Sequence, residues 1–270
     1  MKDQTLMDNT LSVENIKEGL ETGCFGQEIS YLSSIDSTNL VAKQLAQEGA
    51  REGTLVITDY QTQGRGRLKR SWWSLPGENL LFSIIFRPSF EVTHTFRLTL
   101  LSSLAVAEAI KQETGLETLI KWPNDIYLKG KKVSGILSEL GVKGEQLQYV
   151  IVGIGININS DPSTHPEIKE IATSISMELG QSFSRLKLLK VILNLMERYY
   201  HIMKRGDFNS LKKTWDALSL IKGKAVKVVS KDDLKEGIAE SVDEEGFLIL
   251  RDYSGRKSRI VSADVSLSLV

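Results

Sequence analysis

Ten residues of this chain, Gly64-Arg65-Gly66-Arg67-Leu68-Lys69-Arg70-Ser71-Trp72-Trp73, carry four cations, two glycines and two adjacent indoles, although 34 Lys+Arg balance 34 Asp+Glu over all 270 residues. Arginine presents a planar fork of donors suited to carboxylate and phosphate oxygens, and glycine lets a backbone approach a ligand closely or take φ > 0. The segment therefore has the makings of an anion site. A solvated basic loop and a grip on nucleic acid use the same residue types. On this segment alone those two readings weigh at least as much as a small-molecule site.

Three further clusters hold residues able to do chemistry. Lys121-Trp122-Pro123-Asn124-Asp125 groups a cation, an aromatic plate, a rigid turn, an amide and a carboxylate at the end of an expected strand. It suits a ligand or a metal, and equally a proline turn in which Asn124 and Asp125 cap backbone groups. Lys132 with Ser134, Gly135 and Glu139 is the second, where strand alternation puts Lys132 and Ser134 on one face. A plain surface lysine is the usual state of such a residue. The third, Gly153-Ile154-Gly155-Ile156-Asn157-Ile158-Asn159, puts two glycines inside an apolar strand, where they admit a ligand, another backbone or a packed helix.

Familiar catalytic signatures are missing. No G-x-x-x-x-G-K-[ST] loop occurs, the Gly153 to Ile158 run lacks the third glycine of a dinucleotide fingerprint, and neither a G-x-S-x-G elbow nor an H-E-x-x-H pair is present. Cys24 is the single cysteine and His94, His165 and His201 are far apart, so no metal site is expected. An enzyme made from these parts works by positioning and electrostatics, without a protein nucleophile.

The elements that must hold these clusters follow from periodicity. Ser12 to Leu20 reads as a short helix ending near Gly23, Glu28 to Leu32 as a strand, Thr38 to Glu48 as a helix and Thr54 to Asp59 as a strand entering the basic loop. Asn79 to Arg87 is almost continuously apolar, the mark of a strand buried on both faces. Phe96 to Glu113 repeats as a long helix, and Thr118 to Lys121 is a short strand stopped at Trp122-Pro123. A hairpin turns at Gly130 with its second strand running to Glu139, and Gln148 to Ile156 pairs beside it. Arg185 to Lys204 and Phe208 to Ala217 are amphipathic helices. Beyond them Lys224 to Val229, Glu236 to Val242, Gly246 to Leu250 and Arg256 to Val261 alternate as short strands of a small β-barrel or sandwich.

The length accommodates one large domain and a small one, divided near Leu220 to Gly223: residues 1–220, with 1–27 as an N-terminal helical extension, and residues 221–270. Zero net charge supplies no global field toward nucleic acid or anionic membrane. Met1-Lys2-Asp3-Gln4 does not open an apolar signal segment, and no apolar run is long enough to span a bilayer. A cytoplasmic location is the expectation.

Taken in order, Ser37-Thr38-Asn39, Tyr60 to Arg67, Lys121 to Asp125, Lys132 to Glu139 and Gly153 to Asn159 resemble the biotin protein ligases, from roughly Ile29 to the end of the chain. The resemblance implies an α+β fold: a mixed β-sheet with helices packed on it, like the catalytic domain of class II synthetases, plus a small C-terminal SH3-like β-barrel. It implies a two-step reaction. Biotin and MgATP give biotinyl-5′-AMP and pyrophosphate, and the amine of one lysine on a biotin carboxyl carrier protein then displaces AMP.

The resemblance also implies roles. Ser37, Thr38, Asn39, Gln61, Gly64, Arg65, Gly66, Arg67, Lys132 and Gly135 look like the biotin side. Arg65, Arg67, Trp72, Lys121, Asn124, Lys132 and Asn157 look like the ATP and adenylate side, with Trp72 part of a lid. Lys132 and Arg67 look catalytic, and Asp125 assists the incoming lysine. Many members of the family carry an N-terminal DNA-binding domain, for which the roughly thirty residues before the first strand are too few. The expectation is thus a ligase with no nucleic-acid or membrane partner, acting as a monomer or homodimer. Lipoate ligases and octanoyl transferases share the fold and are the nearest rival; a nucleic-acid-binding protein and a non-catalytic biotin binder are the others.

Overall fold

The computed structural model describes residues 10–230 and 233–267; the polar opening Met1 to Gln4 and the last positions of the 221–270 segment lie outside them. Seven strands form the main sheet: β1 Ile29–Ile35, β2 Leu55–Gln61, β3 Asn79–Phe86, β4 Thr118–Lys121, β5 Asp125–Leu128, β6 Lys131–Lys143 and β7 Gln146–Asn157. Their order is β1-β2-β3-β7-β6-β5-β4, with β1 and β2 parallel and the other neighbours antiparallel. The sheet is mixed, as expected.

Helices cover both faces. The short α1 (Val13–Lys17) starts at Ser12, whose hydroxyl accepts from Asn15 N. On one face α2 (Thr38–Gln47) lies across β2, β3 and β7, burying Ala42 and Ala46 against Val56, Ile85 and Ile151. On the other, α3 (Phe96–Thr114) packs on the sheet and against α5 (Arg185–Lys204) and α6 (Phe208–Leu218), around Leu80, Phe82, Ile84 and Phe86 of β3. Strand β3 is buried at every position because period-two alternation feeds one set of side chains to each core. Its one hydroxyl, Ser83, follows Ile85 onto the α2 side.

Two elements, α5 and β4, match the expected ranges to the residue, and most others differ by one to three residues at an end. Others were not expected: the five-residue α4 (Ile175–Leu179), and a last strand, β12. With β8 Ala225–Val229, β9 Leu234–Val242, β10 Leu248–Arg251 and β11 Lys257–Ile260, β12 (Asp264–Leu267) makes an antiparallel sheet ordered β11-β10-β9-β8-β12. Only Val265 of β12 is buried, too little alternation to mark a strand in advance.

The two sheets are joined through residues next to the chemistry. Trp122 is fully buried, and its indole N–H donates to Gly246 O at 3.1 Å. Phe96 stacks on Phe247 with centroids 5.3 Å apart, and Arg97 Nε donates to Glu244 O at 2.7 Å. The aromatic of the Lys121 to Asp125 cluster is thus a joint between sheets.

Candidate active site

A cavity of about 500 Å³ opens between the end of β2, the first turn of α2, strands β5 to β7, the basic loop and β12. Ser37, Thr38, Asn39, Gln61, Arg65, Gly66, Arg67, Trp72, Lys121, Asn124, Asp125, Lys132, Gly135 and Asn157 all line it. Gly64 does not. It stands behind the wall, where a side-chain carbon would sit 2.5 Å from Trp72 O, so glycine is needed there for close passage of two backbones.

One end of the cavity is a dense polar network. Thr38 N donates to Gln61 Oε1 at 2.8 Å, and the Thr38 hydroxyl lies 3.1 Å from the same oxygen. The Ser83 hydroxyl is 2.7 Å from both Thr38 Oγ1 and Asn39 Oδ1. Asn39 Nδ2 donates to Glu139 Oε2 at 2.7 Å and to Leu137 O at 3.2 Å, so its amide is spent on protein partners. Ser37 sits at the N-cap of α2 without capping any helix N–H. Gly153 leaves the space that Asn39 occupies: a carbon added there would lie 2.0 Å from Asn39 Oδ1. Of the alternatives open for that glycine, the packed helix residue is the one observed.

The other end is cationic. Lys132 Nζ is 2.7 Å from Asp125 Oδ1 and 5.5 Å from the centre of the Trp72 ring. Arg67 donates to Asn124 Oδ1 at 3.3 Å and to Ser262 Oγ at 3.0 Å, while Arg70 pairs with Asp264. Asn124 is held in turn by donating to Ile136 O at 2.7 Å. Lys121 Nζ lies 3.5 Å from Tyr127 OH. Burial pulls both the Arg67 guanidinium and the Lys121 ammonium below their ordinary values, against the carboxylates of Asp264 and Asp125. Burial first, then Asp125, pushes the Tyr127 phenol up to about 12, so it stays a donor. Desolvated cations crowded at one wall are under-compensated until an anion arrives.

Strand alternation alone puts Lys132 and Ser134 on one face, and the structure corrects this. The β5–β6 register shifts between Ile126 and Tyr127, so Lys132 opposes Tyr127 while Gly135 opposes Asp125. This β-bulge turns Lys132 and Gly135 to the cavity together and leaves Ser134 buried, donating to Gly155 O at 2.8 Å. The Trp72 indole occupies the shelf above Gly135 and Gly155, where an added carbon would meet the ring at 3.0 and 2.6 Å. Asn157 donates through Nδ2 to Thr173 O at 3.0 Å; among the described residues its buried Oδ1 has no partner.

The basic loop is a small hairpin. Arg65 bridges Ser71, Gly66 N donates to Arg70 O at 2.8 Å, and a 3₁₀ turn over Arg67–Lys69 closes it. The left-handed residues are Leu68 and Lys69, at φ 54° and 61°, not the two glycines. The sequence reading also missed the C-terminal contribution: Val229, Asp264, Val265 and Ser266 line the cavity. Asp264, Val265 and Ser266 lie on the unread β12, while Val229 ends β8, a strand that was read but carried no sign of facing the cavity.

Two family models match this chain: the Biotin/lipoate A/B protein ligase family over residues 31–157, and the Biotin protein ligase C terminal domain over 222–268. The bifunctional ligase/repressor BirA of Bacillus subtilis is 39% identical over 258 residues, covering 95% of this chain and 79% of that protein. The biotin–[acetyl-CoA-carboxylase] ligase of Paracoccus denitrificans is 31% identical, covering 84% of this chain and 95% of its own. The biotin protein ligase of Aquifex aeolicus in complex with biotin and ATP superposes with a TM-score of 0.79 at 31% identity, over 90% of this chain and all of that one. Sequence, sheet topology and both family models agree that this chain belongs to the biotin protein ligase family.

Proposed function

We propose that the protein activates biotin with ATP and then transfers it to a lysine of a biotin carboxyl carrier protein. The observation that carries this is one cavity with an uncharged hydrogen-bonding end, at Thr38 and Gln61, and a cationic end, at Arg67, Lys121 and Lys132. A cyclic urea head and a carboxylate tail need those two ends.

In the first step a biotin carboxylate oxygen attacks the α-phosphorus of MgATP, and the bond to the β-phosphate breaks as pyrophosphate leaves. Two anions must approach, so cations aimed at the crowded oxygens lower the barrier most. Lys132 is the residue for this. It is held by Asp125 in the absence of substrate, and an arriving carboxylate and phosphate compete for it. Arg67 and Arg65 would cover the same oxygens from the loop, and Lys121 the phosphate side. The Trp72 ring and the unpartnered Asn157 Oδ1 offer a flat face and an acceptor to the adenine base. Ser37, Thr38 and Gln61 would take the biotin head, with Gly66 and Gly135 giving room for the chain.

In the second step a neutral lysine amine attacks the acyl carbon, the bond to AMP breaks and the nitrogen sheds one proton. Once Lys132 turns to the phosphate, Asp125 becomes free to receive that proton. The mixed anhydride must be kept from water meanwhile, and the loop hairpin over the cavity suits that purpose. In this reading residues 1–220 carry the chemistry, with 1–27 as an extension, and 221–270 brace the loop. The reading includes a cytoplasmic setting, a monomer or homodimer as the working unit, and no operator binding, which a sequence-specific shift of duplex DNA at physiological salt would overturn.

Pyrophosphate exchange into ATP, measured with biotin, with lipoate and with no acid, is the deciding experiment. Exchange with biotin alone is expected. Exchange with lipoate alone would transfer the protein to the rival activity.

A further inference from the structure

Beneath the polar end of the cavity runs a chain of four side chains whose contacts outnumber its protons. From Asn39 Oδ1 to Ser83 Oγ is 2.7 Å, from Ser83 Oγ to Thr38 Oγ1 2.7 Å, and from Thr38 Oγ1 to Gln61 Oε1 3.1 Å. The two ends are amide oxygens and only accept. Each hydroxyl in the middle has a single hydrogen, so three contacts share two protons.

The ends are fixed by outside partners. Asn39 cannot turn its amide, because its Nδ2 already donates to Glu139 Oε2 at 2.7 Å and to Leu137 O at 3.2 Å. Gln61 Oε1 already receives Thr38 N at 2.8 Å. Two oxygens 2.7 Å apart need a hydrogen between them, so the contact left without a proton is the longest one, at 3.1 Å between Thr38 and Gln61. The two short contacts take the protons: Ser83 donates to Asn39, and Thr38 donates to Ser83. Thr38 therefore has no hydrogen to offer the cavity and presents only lone pairs.

We propose that Ser83 and Glu139 are positioning residues that determine ligand specificity: acting through Asn39, they turn the Thr38 hydroxyl proton away from the cavity, so that the polar end selects a ligand head carrying an N–H donor. Neither side chain lines the cavity. Ser83 is fully buried on β3, and Glu139 lies on β6, so each acts on the ligand through another residue. A ring N–H meets Thr38 as an acceptor, while an acyl chain without an N–H leaves those lone pairs unpaired in a desolvated wall, the type of loss that rejects a near-isostere strongly.

The inference rests on the biotin-activating reading, which wild-type exchange with biotin tests separately; no exchange in wild type would remove both. With exchange present, the variants are Ser83→Ala, Glu139→Ala, Glu139→Gln and Thr38→Val, measured in the full chain. Ser83→Ala and Glu139→Ala are expected to raise the KM for biotin about tenfold or more, with the KM for ATP and kcat within about twofold, the size of loss expected when a hydrogen-bonded group goes unpaired. Glu139→Gln, which keeps an acceptor for Asn39, is expected to restore biotin KM to near wild type. In a Thr38→Val background the Ser83→Ala step is expected to shrink to less than a third of its size, since Ser83 acts through that hydroxyl. An unchanged biotin KM in Glu139→Ala, equal rises in biotin and ATP KM, or a full Ser83 effect without the Thr38 hydroxyl would each overturn the proposal. The Glu139 pair keeps the test decisive should Ser83→Ala fold poorly.

Discussion

The two ends of the cavity are built on opposite plans. At Thr38, Asn39, Gln61 and Ser83 the side chains are mostly buried on strands and a helix, and bound to one another at 2.7 to 3.1 Å. At Arg65, Arg67 and Arg70 the cations ride on a loop, and Arg67 and Arg70 are tied across to Ser262, just before β12, and to Asp264 at its start. A neutral head group can be met by a wall fixed in advance, since its polar groups lose little by waiting already paired. A wall of desolvated cations has no such resting state. Here Lys132 rests 2.7 Å from the Asp125 carboxylate, and on the proposed reading an arriving anion would compete for it.

Breaking the cationic end at its centre is expected to cost most. Lys132→Ala should lower biotin-dependent pyrophosphate exchange by about 10² to 10³, the range for losing one preorganised charge donor; unchanged exchange would remove Lys132 from the chemistry. Arg67→Ala should leave adenylate formation measurable but speed its escape by roughly 10- to 100-fold, the loss of one charge-assisted hydrogen-bonding group. Bystander proteins in the assay would then be labelled, and labelling confined to the carrier would sink the lid account. At the fixed end, Gly153→Ala drives a carbon to within 2.0 Å of Asn39 Oδ1, an overpacking expected to cost about 1–3 kcal/mol. A lower Tm together with a biotin KM raised about tenfold should report it, and an unchanged Tm would mean the wall is softer than described. The smallest effect belongs to Asp264→Asn. The Arg70 and Asp264 side chains are 65% and 38% exposed, so the ion pair is worth at most about 1 kcal/mol, and ATP KM should rise no more than roughly fivefold, less at high salt.

Part of the fixed end could be read in advance: period gives the helix start at Thr38, but it stops the strand entering the basic loop at Asp59, two residues short of Gln61, and the place of both residues in the pocket came from the family resemblance. Ser83 could not be found that way. A lone hydroxyl in Asn79–Phe86 carries no periodic signal, and its partners come from far along the chain. The same holds for Lys132, whose type and position were legible while its direction was not, because a bulge in β6 reverses what alternation predicts. Most of the C-terminal contribution was lost with β12, whose four residues bury one side chain, and Val229 at the end of β8 carried no sign of facing the cavity. Glycine in the basic loop was expected for its freedom; Gly64 is there because two backbones pass too close for anything larger.

Trp122 carries one more implication. Its neighbour Lys121 faces the cavity, while its own indole is sealed under Gly246 and Phe247 sits close by on Phe96. A tryptophan that bordered only ligand could drift with substrate preference, but this one must also match the turn between β9 and β10. Grafting the C-terminal sheet from one relative onto another is therefore a change to the wall of the cavity, because the turn that holds Trp122 would be exchanged with it.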